Sequence, residues 1–199
     1  MEIKVVSEED IDQVVNVHKA SFVDFFLTEL GDHFLSVYYN CVRKDKRGIL
    51  LGFYEEGKLY GFAAATTVSK SFNTHLILEN IFQFSLIGIR LLFTKTSALI
   101  RLFKNFSKTN ASVNDKGEYA ELLSIGVSDK KQGQGAGKKL LLELEETLKT
   151  KGCSQLSLTT DFYNNEKAIG FYNGLGYEIF YDFIAYPNRK MYRMIKKIN

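Results

Sequence analysis

The sequence predicts a mixed α/β fold, and three observations carry that prediction. Short β-rich runs are interleaved with segments whose apolar residues recur at helical spacing. A buried-looking strand leads into a glycine-rich turn that opens a helix. The C-terminal segment reads as a strand pair. The resulting order is strand, helix, helix, strand, strand, helical insertion, strand, helix, strand, helix, strand, strand.

Ile3 to Val6 is a β-branched run, and Ser7 followed three residues later by Asp10 resembles a helix N-cap with an acidic first turn. That helix is expected to run to about Phe22, and a second covers roughly Phe34 to Arg43. Gly48 to Tyr54 and Lys58 to Val68 form a hairpin around Glu55, Glu56 and Gly57. Helical spacing then extends from about Phe72 to Phe106, with Thr94 to Ser97 as the place where it divides, because Thr and Ser favour caps over helix interiors. On a helical wheel Arg90, Arg101, Lys104 and Lys108 fall within about 40° of one direction, and Leu92, Leu99, Ile100 and Phe103 lie opposite. Polar residues from Asn105 to Gly117 read as a loop, and Tyr119 to Val127 as a buried strand.

After the glycine-rich turn, Leu140, Leu141, Leu144 and Leu148 mark one side of a helix that Lys149, Lys151 and Gly152 close. Leu156 to Thr160 is a strand, and Asn165 caps a helix that reaches about Tyr172 and ends at Gly174 and Gly176. Tyr177 to Ala185 and Lys190 to Ile195 complete the strand pair. No internal repeat is visible.

A chain of 199 residues fits a single domain, residues 1–199, with a helical insertion at about 72–108. With 45% hydrophobic and 25% charged residues and a single proline, it is neither disordered nor fibrous, and 16 Phe and 11 Tyr supply core volume. Two cysteines, Cys41 and Cys153, make neither a disulfide framework nor a metal knuckle, and His18, His33 and His75 have no ligand spacing with them, so no metal is expected. The N-terminus lacks a basic stretch followed by an apolar run, which points to a cytoplasmic protein. A net charge of +3 gives no reason to expect nucleic acid as a partner. Yet between Glu79 and Asp115 there is no acid and there are five cations, Arg90, Lys95, Arg101, Lys104 and Lys108, leaving a net charge of −2 on the remainder. The longest uncharged run there, Ile81 to Ile89, is nine residues and cannot cross a bilayer that needs about 20, so no transmembrane segment is expected.

The turn itself, Lys130-Lys131-Gln132-Gly133-Gln134-Gly135-Ala136-Gly137, places unpaired N–H groups at the positive end of a helix dipole, which suits a phosphate or pyrophosphate. It is not a Walker loop, because Gln132 and Lys139 stand where a glycine and a Ser or Thr are needed. It is not a dinucleotide fingerprint either, because the third glycine falls one residue early.

What remains is Gln132-x-x-Gly135-x-Gly137 after a strand ending in Val127, with Asn165-x-x-Ala168-Ile169-x-Phe171-Tyr172-x-x-x-Gly176-Tyr177 downstream. This resembles the GNAT superfamily, the acyl-CoA-dependent N-acetyltransferases, strongly over about Glu121 to Tyr177 and loosely toward both ends. The resemblance implies a central, mostly antiparallel sheet flanked by helices and splayed between the fourth and fifth strands, with the insertion before the fourth. It implies acetyl-CoA as co-substrate, its pyrophosphate held around Gln132, Gly133, Gln134, Gly135, Gly137 and Lys138. The backbones of Ile125 and Val127 would line the pantetheine arm, an amide near Ile125 would polarise the thioester carbonyl, and Asn165 would contact the arm beside its capping role.

Direct transfer requires a neutral amine and a proton for the departing thiolate. Tyr172 matches the family's tyrosine acid; its alternative is a core aromatic like Phe171 beside it. Glu121, six residues before Val127, matches the general-base glutamate of histone-type members; the alternatives are ordered water, substrate binding or another carboxylate, with Asp161 and Glu79 in reserve. The expected activity is acetyl transfer to a primary amine on a small molecule or peptide. A non-catalytic acyl-CoA sensor or scaffold, and an acyltransferase fed by an acidic acyl carrier protein docked on the basic insertion, are the alternatives. The insertion reads as a lid, a docking face, a membrane-surface helix or a packed helix with a solvated basic face, and its apolar positions equally suit a homodimer.

Overall fold

The computed structural model of the chain describes residues 1–23, 25–94, 96, 113 and 115–198, with the backbone alone at 26, 90, 92 and 94. Its strands are β1 (Glu2–Val5), β2 (Gly48–Glu55), β3 (Lys58–Thr66), β4 (Ala120–Val127), β5 (Gln155–Asp161), β6 (Glu178–Ala185) and β7 (Arg189–Lys197). They form one sheet in the order β1-β2-β3-β4-β5-β7-β6. Neighbours run antiparallel except β4 and β5, which are parallel.

Two apolar clusters sandwich this sheet, because successive strand residues point to opposite faces. Leu50, Phe62 and Ala64 face one cluster, with α1 (Ile11–Ser21), α2 (Phe26–Glu29), α3 (Asp32–Lys44), α4 (Phe72–Glu79) and α5 (Ile81–Thr94). Leu51, Ala63 and Ala65 face the other, with α6 (Ala136–Thr150) and α7 (Glu166–Asn173). Leu140, Leu141, Leu144 and Leu148 are fully buried on the inner side of α6, as their spacing requires. This is the mixed α/β class the element order predicts.

Several local details differ from the sequence reading. Asp10, and not Ser7 as the spacing suggested, stands at the N-cap of α1, and it makes no side-chain cap bond because its carboxylate accepts from Ser7, Gln13 and Tyr54 instead. The four-residue α2 is too short to show helical periodicity. The insertion breaks at Asn80, whose side-chain amide donates to Leu76 O at 2.9 Å and so takes up a carbonyl of the last turn of α4. The basic and apolar positions assigned to 97–108, namely Leu99, Ile100, Arg101, Phe103, Lys104 and Lys108, lie outside the described residues, as does Lys95. No helix among the described residues is long and apolar enough to cross a membrane.

One buried ion pair fastens α6 to β7. Glu145 accepts from Tyr177 Oη at 2.9 Å and from Lys196 Nζ at 2.6 Å, with all but a small fraction of its side chain covered. Removing the carboxylate leaves a buried hydroxyl and a mostly covered ammonium without a partner. Glu145→Ala is therefore expected to lower unfolding free energy by about 2–4 kcal/mol. In urea titration this is a lower midpoint at unchanged slope.

Candidate active site

β4 and β5 pair for three residues each, Ala120 to Leu122 against Leu156 to Leu158, and then part. β4 stays paired with β3 as far as Val127, and β5 with β7 as far as Asp161. The remaining half of β4 thus presents a free edge to a widening gap. A bulge helps to open it: Ser124 pairs with Ala64 and Leu122 with Ala65, so Leu123 is the extra residue that bends the strand. The gap is a cleft of ≈ 510 Å³ walled by Ser124 and Ile125 on β4, Thr159 on β5, Tyr172 on α7, and His18 and Phe22 at the end of α1.

The backbone polarity of the free edge follows from one bond. Ser128 N–H donates to Tyr60 O at 2.8 Å. Polarity alternates along a strand, so the N–H groups of Gly126 and Ser128 face β3 and those of Ile125 and Val127 face the cleft. Val127 O is taken up by Gln132 Nε2 at 3.1 Å and, more weakly, by Ser21 Oγ. Gln132 also donates to Asp129, and Gln134 donates to Lys130 O, so these two side chains brace the turn.

Gly133 and Gly135 hold φ +72° and +80°, the left-handed region that a side chain disfavours. No acceptor meets the backbone N–H groups of residues 133–138 among the described residues. They lie at the N-terminus of α6, in a turn whose side chains, Lys138 included, are mostly exposed. A Cβ on Gly135 would meet nothing within 4 Å, and on Gly137 it would meet Val127 and Phe171 at ordinary contact distances, so the space over the turn is open. The arrangement is an exposed row of donors with a helix dipole behind it, which suits an extended polyanion.

Tyr172 is 9% exposed, and burial pushes its hydroxyl up to about 12. It stays protonated at neutral pH, and no hydrogen-bond partner for it lies among the described residues. Asn165 stands at the start of α7 without a side-chain cap bond. Its amide donates to Thr160 Oγ1 at 2.6 Å and Asp161 O at 3.1 Å, tying the helix to the end of β5. Both residues line the cleft. Glu121 is held apart from it, at the closed end of the β4–β5 pair. Its carboxylate accepts from Ser69 Oγ at 2.5 Å and from Arg193 at 2.9 Å, and Arg193 also reaches Ser157. Of the reserve carboxylates, Asp161 is locked to Arg189 on the cleft wall, and Glu79 pairs with Arg47.

The sequence reading missed a polar chain at the cleft. His18 Nδ1 is 2.6 Å from Tyr39 Oη, which is 3.0 Å from Ser124 Oγ on β4. Among the described residues, buried His18 Nε2 has no partner. His18 lies a helical turn beyond Val14 and Val15, so its place on the buried face of α1 was legible, but its partners on α3 and β4 were not. Among the described residues no group of three or more His, Cys, Asp or Glu comes together as a metal site.

Residues 11–177 match the model of the acetyltransferase (GNAT) family. The chain belongs to the GNAT acetyltransferase family. It is an acyltransferase, and its splayed sheet is that of solved GNAT structures. The ribosomal-protein-S18-alanine N-acetyltransferase from Escherichia coli aligns with 100% of this chain and 94% of its own, at 16% identity and a TM-score of 0.63. Aminoglycoside 6'-acetyltransferase type Ii aligns with 100% and 98%, at 17% identity and a TM-score of 0.63. The PaiA N-acetyltransferase from Thermoplasma acidophilum, solved with coenzyme A, aligns over 98% of both chains at 16% identity and a TM-score of 0.56. No curated protein sequence matches significantly.

His18 gives this GNAT cleft a measurable pH signature. Burial lowers its pKa from 6.5 to about 4, so between those values the unfolded chain takes up a proton that the folded chain refuses. Stability supplied by neutral His18 is complete above pH 6.5 and is lost as pH falls toward 4. The loss by pH 4.5 is expected to be about 2–3 kcal/mol. Urea titrations at pH 7 and 4.5 are expected to show that much less acid sensitivity in His18→Gln than in the parent.

Proposed function

We propose that the protein is an N-acetyltransferase that moves the acetyl group of acetyl-CoA to a primary amine by direct attack while both are bound. The observation that carries this reading is the free edge of β4, running from the bulge at Leu123 to a turn of unpaired amides, with a protonated tyrosine across the cleft. The residues present fit the co-substrate. The N–H groups of 133–138 suit its pyrophosphate, with Gln132 and Gln134 as braces and Lys138 as a nearby cation. The edge groups of Ile125 and Val127 suit the amides of the pantetheine arm, and Asn165 fixes the facing end of β5.

Acetyl-CoA supplies the acyl group as a thioester. The Ile125 N–H polarises its carbonyl from the strand edge, where the donor is fixed in advance by the sheet. A C–N bond forms to the acceptor and the C–S bond breaks. Tyr172, kept neutral by burial, gives its proton to the thiolate, and the amine nitrogen releases one in turn. Glu121, outside the cleft and already accepting from Ser69 and Arg193, can take that proton only by relay through solvent, which makes its contribution partly one of holding the closed end of the cleft. Two structural neighbours are named for a ribosomal protein's alanine and for an aminoglycoside, and they bracket the acceptor class between a peptide and a small-molecule amine.

Calorimetry with acetyl-CoA, followed by thiol release in an amine screen, tests the proposal. Saturable one-to-one binding with amine-dependent release is expected; binding without release would leave a sensor, and no binding would remove the assignment. Tyr172→Phe is expected to lower kcat by about 100-fold with acetyl-CoA affinity unchanged. Glu121→Gln separates the roles of that residue: a base alone moves the pH–rate profile, whereas an anchor also lowers the melting temperature. The expected outcome is both effects.

A further inference from the structure

The polar chain behind β4 has both of its ends on the cleft. Ser124 and His18 line the cleft wall, and Tyr39 between them is fully buried. His18 Nδ1 lies 2.6 Å from Tyr39 Oη, and Tyr39 Oη lies 3.0 Å from Ser124 Oγ. The three residues come from α1, α3 and β4, so the chain exists only in the folded protein. Ser124 stands on the part of β4 that has left β5, beside Ile125.

Packing alone does not account for a histidine here. Its ring sits near those of Phe22, at 4.8 Å, and Phe62, at 6.3 Å, and among the described residues Nε2 meets no partner. A phenylalanine would fill such a site without leaving a buried polar atom unmet, which is destabilising. Burial keeps His18 neutral at neutral pH, so with the ring hydrogen on Nε2 the Nδ1 lone pair is open to the Tyr39 hydroxyl. The nearby carboxylates are committed elsewhere, Asp161 to Arg189 and Glu121 to Ser69 and Arg193.

We propose that Ser124, Tyr39 and His18 relay the proton released by the acceptor amine from the cleft to His18 Nδ1. The relay rests on the acetyl-transfer reading, since the proton it moves is the one that reaction sets free. In the resting chain Ser124 donates to Tyr39 and Tyr39 donates to His18, which leaves a Ser124 lone pair for the cleft. Formation of the C–N bond makes the amine nitrogen positive. Its N–H bond then breaks, the electron pair stays on nitrogen, and an O–H bond forms on Ser124. The hydrogen that Ser124 held passes to Tyr39, and the one that Tyr39 held passes to His18 Nδ1. The positive charge thus moves from substrate to imidazole, and no group is left anionic. An imidazolium in that apolar setting is short-lived. Once the product leaves, the same chain returns the proton to water in the cleft. Ser124 is the member that meets the substrate; Tyr39 and His18 act through it.

The test is the single-turnover rate of acetyl transfer in light water, heavy water and their mixtures. The acceptor is the fastest of the amine screen, which includes an alanine-terminated peptide and kanamycin. The parent is expected to show a solvent isotope effect that curves with deuterium fraction, as more than one moving proton requires. Tyr39→Phe keeps the ring and removes the middle oxygen. It is expected to lower the rate by about 100-fold, to abolish the curvature and to leave acetyl-CoA affinity unchanged. Ser124→Ala, at a partly exposed position, is expected to do the same with a melting curve close to the parent's. His18→Ala is expected to regain rate with added imidazole but not with pyrrole, which has the same shape without a basic nitrogen. A rate within about threefold of the parent in Tyr39→Phe or Ser124→Ala overturns the relay, as does a linear isotope dependence in the parent. Equal rescue by pyrrole overturns it in favour of a packing role for His18. A parent that neither binds acetyl-CoA nor releases thiol removes the acetyl-transfer reading itself, whereas these three outcomes in an active parent remove the relay alone.

Discussion

The parallel pairing of β4 with β5 lasts three residues on each strand, and the rest of the site depends on its failure to continue. Once paired to β3 and bent at Leu123, β4 cannot follow β5, and β5 is committed to β7 along its whole length. The divergence leaves backbone N–H groups at Ile125 and Val127 without a strand to receive them. In most sheets such an interior edge would be a defect, since unmet backbone groups are costly when water is excluded. Here the edge opens on a cleft, which keeps those groups solvated until a ligand replaces the solvent.

The same divergence places the two ends of the cleft on different supports. At one end β4 leads through a single 3-10 turn, Asp129–Lys131, with the Lys131 and Gln132 amides taken up by Ser128 O, to Gly133 and Gly135, so the free strand edge and the unpaired amides at the start of α6 stand a few residues apart. At the other, α7 follows β5 after a short loop fixed by the Asn165 amide, which sets Tyr172 in the facing wall. The packing of α6 by four leucines and by the Glu145 pair therefore bears on the site indirectly, because α6 cannot shift without carrying its N-terminal donors with it.

Elements whose information is local were legible in the sequence. The leucine spacing of α6, the glycines of its turn and the hairpin at Gly57 are each set by residues within a few positions of one another, and the motif around Gln132 and Tyr172 adds the splay by resemblance. Long-range pairings were not legible. Asn165 has the composition of a cap, yet its amide is drawn to Thr160 and Asp161 O. Glu121 has the spacing of a base, yet Arg193, 72 positions away, faces it across the sheet. His18 meets Tyr39 and Ser124 through contacts 21 and 85 residues apart. Similarly, a helical wheel drawn through Phe72 to Phe106 as one rod places a basic face opposite an apolar one. The side chains on which that wheel rests lie outside the described residues; within α5, Phe82, Leu86, Ile89 and Phe93 form an exposed apolar side that the wheel did not include.

The charges in the cleft bear on which form of an amine the proposed reaction would take. Asp161 on the cleft wall is matched by Arg189, itself stacked over Phe25 at 4.9 Å, and Glu121, outside the cleft, is matched by Arg193. Burial keeps His18 neutral and Tyr172 protonated. Among the described residues the walls therefore hold one ion pair and neutral polar groups in an apolar frame, with no unpaired carboxylate to meet an ammonium. Moving an ammonium from water into such a space is penalised by desolvation, whereas the free base enters with its lone pair available. In the proposed reaction the lone pair is what attacks, so the paired charges would work in the same direction as the chemistry. In that proposed reaction they disfavour the unreactive protonated form at entry, which reduces the need for a strong base inside.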